Sequence, residues 1–278
     1  MKTISLTIIV LTASLIYSSG LSGQNKISIE KYLKGLPEDL ELVEKSPQKY
    51  LMTAEYFNKD IYGNFSNKIK VTGEYMRGYK DKHVIWNNVY NSQSNSQTGP
   101  YNDKDRQDYM ENFSYIPSQN ILQESFFESF DNNPENIFVR TLIWDMYAIE
   151  IYAWDYFDSL YQNKTYLITD KGATDIAGIG IYDQRKIELN WIGISLMNNS
   201  ICAIIEYRVF DNKLKVQTET IRSKGSECYW GKTWVSLENK QIEYAEMYSN
   251  TVQEMEIEGL TNKILLCTTR ILKLERIN

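Results

Sequence analysis

From Lys186 onward the chain is a succession of alternating apolar segments separated by polar turns, and this pattern restricts the fold more than any other feature. Lys186–Ser195 precedes Met197-Asn198-Asn199, Ile201–Phe210 precedes Asp211-Asn212, and Leu214–Arg222 precedes Ser223-Lys224-Gly225. Glu227–Leu237 leads through Glu238-Asn239 to Gln241–Ser249, then through Asn250 to Val252–Glu258, and through Gly259–Asn262 to Lys263–Arg276. Leu214 and Val216 fall on one side and Lys213, Lys215 and Gln217 on the other. Met255 and Ile257 likewise oppose Glu254, Glu256 and Glu258. A period of two with tight polar turns predicts an antiparallel meander with one wet and one dry face.

Three further strands are expected upstream, at Tyr50–Phe57, Ile69–Arg77 and Lys82–Tyr90, each rich in aromatic and β-branched residues. A short helix is expected at Ile29–Lys34, ended by Gly35 and Pro37. Residues 91–108 are mostly Asn, Ser, Gln, Asp and Gly, which reads as a mobile polar loop. Asp131-Asn132-Asn133-Pro134 has the form of a helix start, an Asx cap with Pro in the first turn. The helix it opens runs from Pro134 to Leu160 and carries Phe138, Trp144, Met146, Tyr147, Ile151, Tyr152, Trp154 and Phe157. An apolar surface wider than one stripe must be buried on much of its circumference. Arg140, Asp145, Glu150, Asp155 and Asp158 make the helix too polar to span a membrane. The fold class expected is α+β, mostly β: a curved antiparallel β-meander, or half-barrel, with one long aromatic helix packed on its concave face. A single β-rich domain over 24–278 is favoured over two domains divided near residue 170.

Lys2, the apolar run Ile4–Ile16 and the small residues Ser18, Ser19, Gly20, Ser22 and Gly23 have the order of an export signal over residues 1–23. The run is about 13 residues, short of the roughly 20 that span a bilayer. Export to the periplasm or cell surface of a Gram-negative bacterium is therefore expected. The formal charge is −6, and no cluster of Lys and Arg stands ready to neutralise phosphates, so nucleic acid is not an expected partner. Cys202, Cys228 and Cys267 are an odd set within apolar or aromatic runs. They read as small buried hydrophobes, with one disulfide and a spare thiol as the alternative. His83 is the only histidine; a His/Cys zinc site needs several such ligands at close spacing, which the sequence does not offer, and a nucleophile–histidine pair would have to use His83. No metal and no cofactor is expected.

The pairs Trp144-Asp145 and Trp154-Asp155 stand on the long helix. Their acids are about 80° apart around the axis and about 15 Å apart along it. Glycoside hydrolysis needs carboxyls about 5 to 9.5 Å apart, so the two cannot act together. Glu150 lies between Ile149 and Ile151 and shares its face with Trp154, a setting that raises a carboxyl pKa. A hydrogen bond from a Tyr or Arg of the sheet is the structural account of the same residue. Gly225 and Gly231-Lys232-Thr233 miss the spacing of a phosphate loop and precede a strand, not a helix. Trp230 and Trp234 share one face of their strand and Tyr229 takes the other. Packed under the helix, they would meet Trp144 and Trp154, and the candidate ligand-binding residues are Trp144, Glu150, Trp154, Trp230 and Trp234. No catalytic residue is nominated.

The turn-punctuated tail Lys186–Ile277, preceded by an apolar helix, resembles in architecture the curved half-barrels of periplasmic lipoprotein carriers of the LolA/LppX-like kind. That resemblance covers a third of the chain and implies a groove for acyl chains. The stretch Trp230-Gly231-Lys232-Thr233-Trp234-Val235-Ser236-Leu237, with Gln241-Ile242-Glu243-Tyr244-Ala245, also looks like uncharacterised exported proteins of Gram-negative envelopes. Three functions are in view. The first is a non-enzymatic envelope protein that binds a lipid or other amphiphile between helix and sheet. The second is a structural or interaction module that meets another envelope protein. The third is a carboxylate hydrolase using Glu150 with Asp145 or Asp155.

Overall fold

The computed structural model describes residues 29–32, 35–37, 39–102, 104–130, 136–218 and 220–277, without the side chains of residues 170 and 171. The export segment 1–23 and the cap Asp131–Pro134 lie outside the described residues. Five strands precede the helix: β1 (Gln48–Asp60), β2 (Phe65–Arg77), β3 (Val84–Ser94), β4 (Asp105–Arg106) and β5 (Phe113–Tyr115). The helix α1 (Asn136–Trp154) is followed by β6 (Thr165–Asp175), β7 (Gly180–Met197), β8 (Ser200–Gln217), β9 (Ile221–Ser236), β10 (Ile242–Ile257) and β11 (Ile264–Ile277). All eleven form one antiparallel sheet in the order β4-β3-β2-β1-β11-β10-β9-β8-β7-β6, with β5 also on β3. The pairing of β1 with β11 joins the early hairpins to the late meander, from Lys49 opposite Ile277 to Asp60 opposite Leu266.

The strands follow side-chain alternation. In β1, Tyr50, Met52, Ala54 and Tyr56 are buried, while Lys49, Leu51, Thr53 and Glu55 between them are not. In β9 the odd residues Tyr229, Gly231, Thr233 and Val235 are buried, while Trp230, Lys232 and Trp234 between them are not. Hairpin turns form where residues tolerate left-handed backbone, as at Asn198 and Asn199 (φ 49° and 64°) between β7 and β8.

Several expected turns prove to be interior to longer strands. Asp211-Asn212 is a bulge within β8: Asp211 has φ 61° and the register shifts between Val209 and Asn212. Ser223-Lys224-Gly225 lies within β9 and Asn250 within β10. Polar composition by itself reads as a break; at Asp211 a bulge absorbs the extra residue, and at Ser223–Gly225 and Asn250 the ladder runs through in register. Strand β6 was not anticipated. Residues 91–108 are less open than their composition suggests. Asn91–Ser94 completes β3, and Asn91 pairs with Asp105. Lys68 Nζ donates to the carbonyls of Gln97 (3.2 Å) and Gly99 (2.7 Å), and Tyr101 Oη to Glu55 (3.0 Å).

The sheet bends around α1. Glu150 and Tyr152 are two positions apart on the helix and so about 200° apart around its axis. Both are buried by the same sheet: Glu150 meets Tyr75 and Arg77 of β2, and Tyr152 meets Tyr207 of β8 and Tyr229 of β9. Only a curved sheet reaches opposite sides of one helix. The remaining side, with Arg140 and Trp144, is covered by the 3-10 turns Gln119–Leu122 and Glu124–Phe127. Trp144 Nε1 donates to the Ile121 carbonyl (2.9 Å), and the Arg140 guanidinium lies 4.8 Å from the Phe127 ring centre. The helix is therefore buried on most of its circumference, as its composition requires. It ends at Trp154, and a separate 3-10 turn, Phe157–Ser159, follows.

Candidate functional site

The five residues nominated from sequence divide into two sets on opposite faces of the sheet. Glu150 is 4% exposed and accepts from Tyr75 Oη (2.6 Å) and from Arg77, which also pairs with Glu44. A tyrosine and an arginine of the sheet thus hold it, the structural account given above. Burial pushes its carboxyl above the ordinary range, with Arg77 and Tyr75 pulling the other way. Trp154 donates to the Lys240 carbonyl (2.7 Å) and stacks under Arg77, whose guanidinium carbon is 4.3 Å from the ring centre. Trp144 packs against Phe127, ring centres 5.7 Å apart.

Trp230 and Trp234 do not join them. Both point away from α1, on the outer face, because the inward parity of β9 belongs to Tyr229. Trp230 stacks with Tyr248 (6.1 Å between ring centres) and Trp234 meets Tyr244 edge-on (5.1 Å). Trp234 Nε1 also donates to Ser195 Oγ (3.0 Å). The expected lining of one groove by four tryptophans is corrected accordingly. Sequence fixed which residues share a face; which face meets the helix depends on the register of the whole sheet.

The space between α1 and the sheet is filled by polar networks as well as hydrocarbon. Asp145 is 7% exposed, and Arg270 Nη1 donates to both of its oxygens (3.1 and 2.9 Å). Burial pushes Asp145 up to about 7 against the pull of Arg270. Arg270 also lies 3.6 Å from Glu227 and donates to Ser249 Oγ (3.2 Å). The hydroxyls of Tyr152 and Tyr229 are 2.6 Å apart, and Gln184 donates to Tyr229 (2.6 Å). Asp145 and Glu150 are each held by a different guanidinium on different sides of the helix. His83 sits at the rim, Nδ1 2.8 Å from the Asp81 carbonyl. The three cysteines are free thiols, Cys202 fully buried. Among the described residues, no three His, Cys, Asp or Glu side chains converge as a metal centre requires.

The long strands β7 to β11 continue past this core, and their register sorts the inward side chains into rows. One row runs Asn58–Thr268–Thr251–Glu227–Asn212 across β1, β11, β10, β9 and β8. Thr268 Oγ1 donates to Asn58 (2.7 Å), Thr251 Oγ1 to Glu227 Oε1 (3.4 Å) and Tyr182 Oη to Glu227 Oε2 (2.8 Å). Asn212 is fully buried, and neither its amide nitrogen nor its oxygen has a partner. Beyond this polar row the inward positions are mixed: Gly225, Gln253 and Ser223, whose Oγ donates to Gln253 (3.0 Å), lie among the apolar Leu214, Leu266, Val216, Met255, Ile264 and Ile257. These six are half-buried and lie outside the hydrophobic cluster that α1 completes. From Gly225 to Ile221 this shelf extends about 13 Å along the strand. Sequence reading found the alternation of Leu214, Val216, Met255 and Ile257. It missed Asn212, Glu227 and Arg270, which lie far apart in the chain and meet only through cross-strand register.

No family model matches the chain, and no curated protein matches it. Among solved structures it is similar to a lipovitellin, determined for its lipid–protein interactions, at 11% identity and TM-score 0.40. That match covers 84% of this chain, which spans only 25% of the lipovitellin chain. It is also similar to a protein assigned as AttH from Nitrosomonas europaea, at 10% identity and TM-score 0.26, covering 86% of this chain and 54% of that one. A DUF1329 family protein from Desulfovibrio piger matches at 11% identity and TM-score 0.14, covering 84% and 85%. No family follows from likenesses of this size.

Proposed function

We propose that the chain is an exported, non-enzymatic binding protein of a cell envelope, and that it takes an amphiphile on its concave face beyond the helix. One observation carries this reading: a polar row with an unpartnered, buried Asn212 borders an apolar shelf that the core leaves aside. Polar and apolar parts in that order complement a molecule with a head and a tail. The shelf's length of about 13 Å accommodates a medium-length acyl chain. The groove between helix and sheet, the place first expected for such a ligand, is occupied by side chains. A curved sheet with a packed helix is the architecture that the LolA/LppX-like resemblance implies, and the export signal read in residues 1–23 agrees with an envelope setting.

Native mass spectrometry of protein purified from its own host tests the reading. A co-purified amphiphile, lost in a Leu214→Glu/Met255→Glu variant of unchanged thermal stability, is the expected result. A clean apo mass together with no binding of added acyl probes overturns it. The alternative of an interaction module draws on a different observation, the outward pairs Trp230–Tyr248 and Trp234–Tyr244, since Trp and Tyr concentrate in protein interfaces. Pull-down from envelope extract with wild type and a Trp230→Ala variant separates the two.

A further inference from the structure

We infer that the amphiphile's head is uncharged and bears hydroxyl groups. The inference rests on the amphiphile reading and concerns the same polar row. Among the described residues, Arg270 is the cation that faces this row, and it is already engaged. It holds both oxygens of Asp145 and lies 3.6 Å from Glu227. Two carboxylates share one guanidinium, so a carboxylate or phosphate head entering here meets no free positive charge. A charge buried without a partner costs far more than a buried hydroxyl that finds one.

Glu227 is equally committed. Oε2 accepts from Tyr182, and Oε1 accepts from Thr251 and lies closest to Arg270. That leaves little of its charge for a cationic head. What remains unsatisfied is neutral: the amide of Asn212, one donor group and one acceptor. A hydroxyl answers both, because it donates and accepts.

Tyr182 shows what such a group looks like when bound. It stands on β7 opposite Leu214, while Glu227 stands on β9, and β8 lies between the two strands. The Tyr182 side chain must therefore pass over β8, beside Asn212, to donate to Glu227. It covers the row with a neutral hydroxyl on an apolar ring and is itself only half-buried. A ligand hydroxyl that displaces the Tyr182 phenol inherits the Glu227 acceptor and gains the Asn212 amide, while its tail follows the shelf from Leu214 toward Val216 and Ile257.

The test compares probes that share one tail and differ in the head: monolauroylglycerol, laurate and lauryltrimethylammonium, titrated into the full chain by calorimetry. Monolauroylglycerol is expected to bind at least about tenfold tighter than either ion, the equivalent of one well-made buried hydrogen bond. Asn212→Ala should remove most of that advantage and leave the two ions unaffected. Laurate or the ammonium binding as tightly as the glyceride overturns the head-group assignment but leaves the amphiphile reading standing. Failure of all three to bind overturns both. The wild-type comparison decides the matter even where Asn212→Ala does not fold.

Discussion

Arg270 of the last strand grips both carboxylate oxygens of Asp145 on the helix, at 3.1 and 2.9 Å, with each side chain nearly excluded from solvent. The C-terminal strand and the central helix are thus joined by one buried charge pair. Arg270→Met leaves Asp145 and Glu227 in the interior without their common cation, and should lower stability by about 3–5 kcal/mol. Arg270→Met combined with Asp145→Leu should cost clearly less than Arg270→Met alone, because a matched apolar pair replaces a matched ion pair. Urea unfolding of the four proteins in the cycle measures this. A double variant as unstable as the sum of the singles would show that the pair is not what couples strand to helix.

The clamp on the other side of the helix is less exposed to a single loss. If Glu150 is changed to Gln, Arg77 keeps Glu44, and Tyr75 can donate to the new amide oxygen. The expected cost is about 1–3 kcal/mol, below that of Arg270→Met. Tyr75→Phe should cost about 1 kcal/mol through the same hydrogen bond. Equal losses for Glu150→Gln and Arg270→Met would contradict the role given to Glu44.

Stability should fall as pH rises from about 4 to about 7. The folded-state value of Asp145 is about 7 against an ordinary 3.8, and Glu150 is raised as well. Between the two values the folded protein keeps a proton that the unfolded chain has released, so folding is favoured on the acid side of the window. The contribution is complete below the unfolded value and gone above the folded one. Asp145→Asn has nothing to titrate there. Its urea midpoint should change less between these pH values than that of the wild type, and a parallel pair of curves would rule the assignment out.

Gly231 has no room for a side chain. A Cβ there would overlap the Glu246 carbonyl oxygen and the Tyr207 hydroxyl, which donates to that same carbonyl (3.0 Å). One obstacle is backbone of the neighbouring strand and the other a buried ring, so neither yields cheaply. Gly231→Ala should therefore cost several kcal/mol, on the order of an overpacked core site or more. Lys232→Ala, one position on and outward, should stay within about 0.5 kcal/mol.

The placement of the tryptophans can be read by quenching. Trp230 is 37% exposed and Trp86 is fully buried. Trp230→Phe should reduce the fraction of fluorescence accessible to iodide, whereas Trp86→Phe should raise it. A Trp230 signal shielded from iodide would instead mean that the outer face is covered in solution.

Much of the architecture was legible because alternation is a local property. Leu214 and Val216 against Lys213 and Lys215 announce a two-sided strand, and the breadth of apolar residues from Phe138 to Phe157 announces a helix buried on more than one side. Bulges and register are not local. Asp211-Asn212 has the composition of a turn, and only the continued pairing of Asn212 with Glu227 makes it a bulge. For the same reason the expected ligand residues were sorted correctly into shared faces but not onto the face that meets the helix.

The sequence by itself determined that the chain is mostly antiparallel strand and that one aromatic helix must be wrapped by the strands. These follow from side-chain period, which no packing can alter. Only the tertiary structure decided that Tyr229, not Trp230, faces inward, that Arg270 meets Asp145 across 125 positions, and that Asn212 is buried without a partner. Each of those depends on cross-strand register, and register is fixed by the joint burial of every strand, not by any one of them.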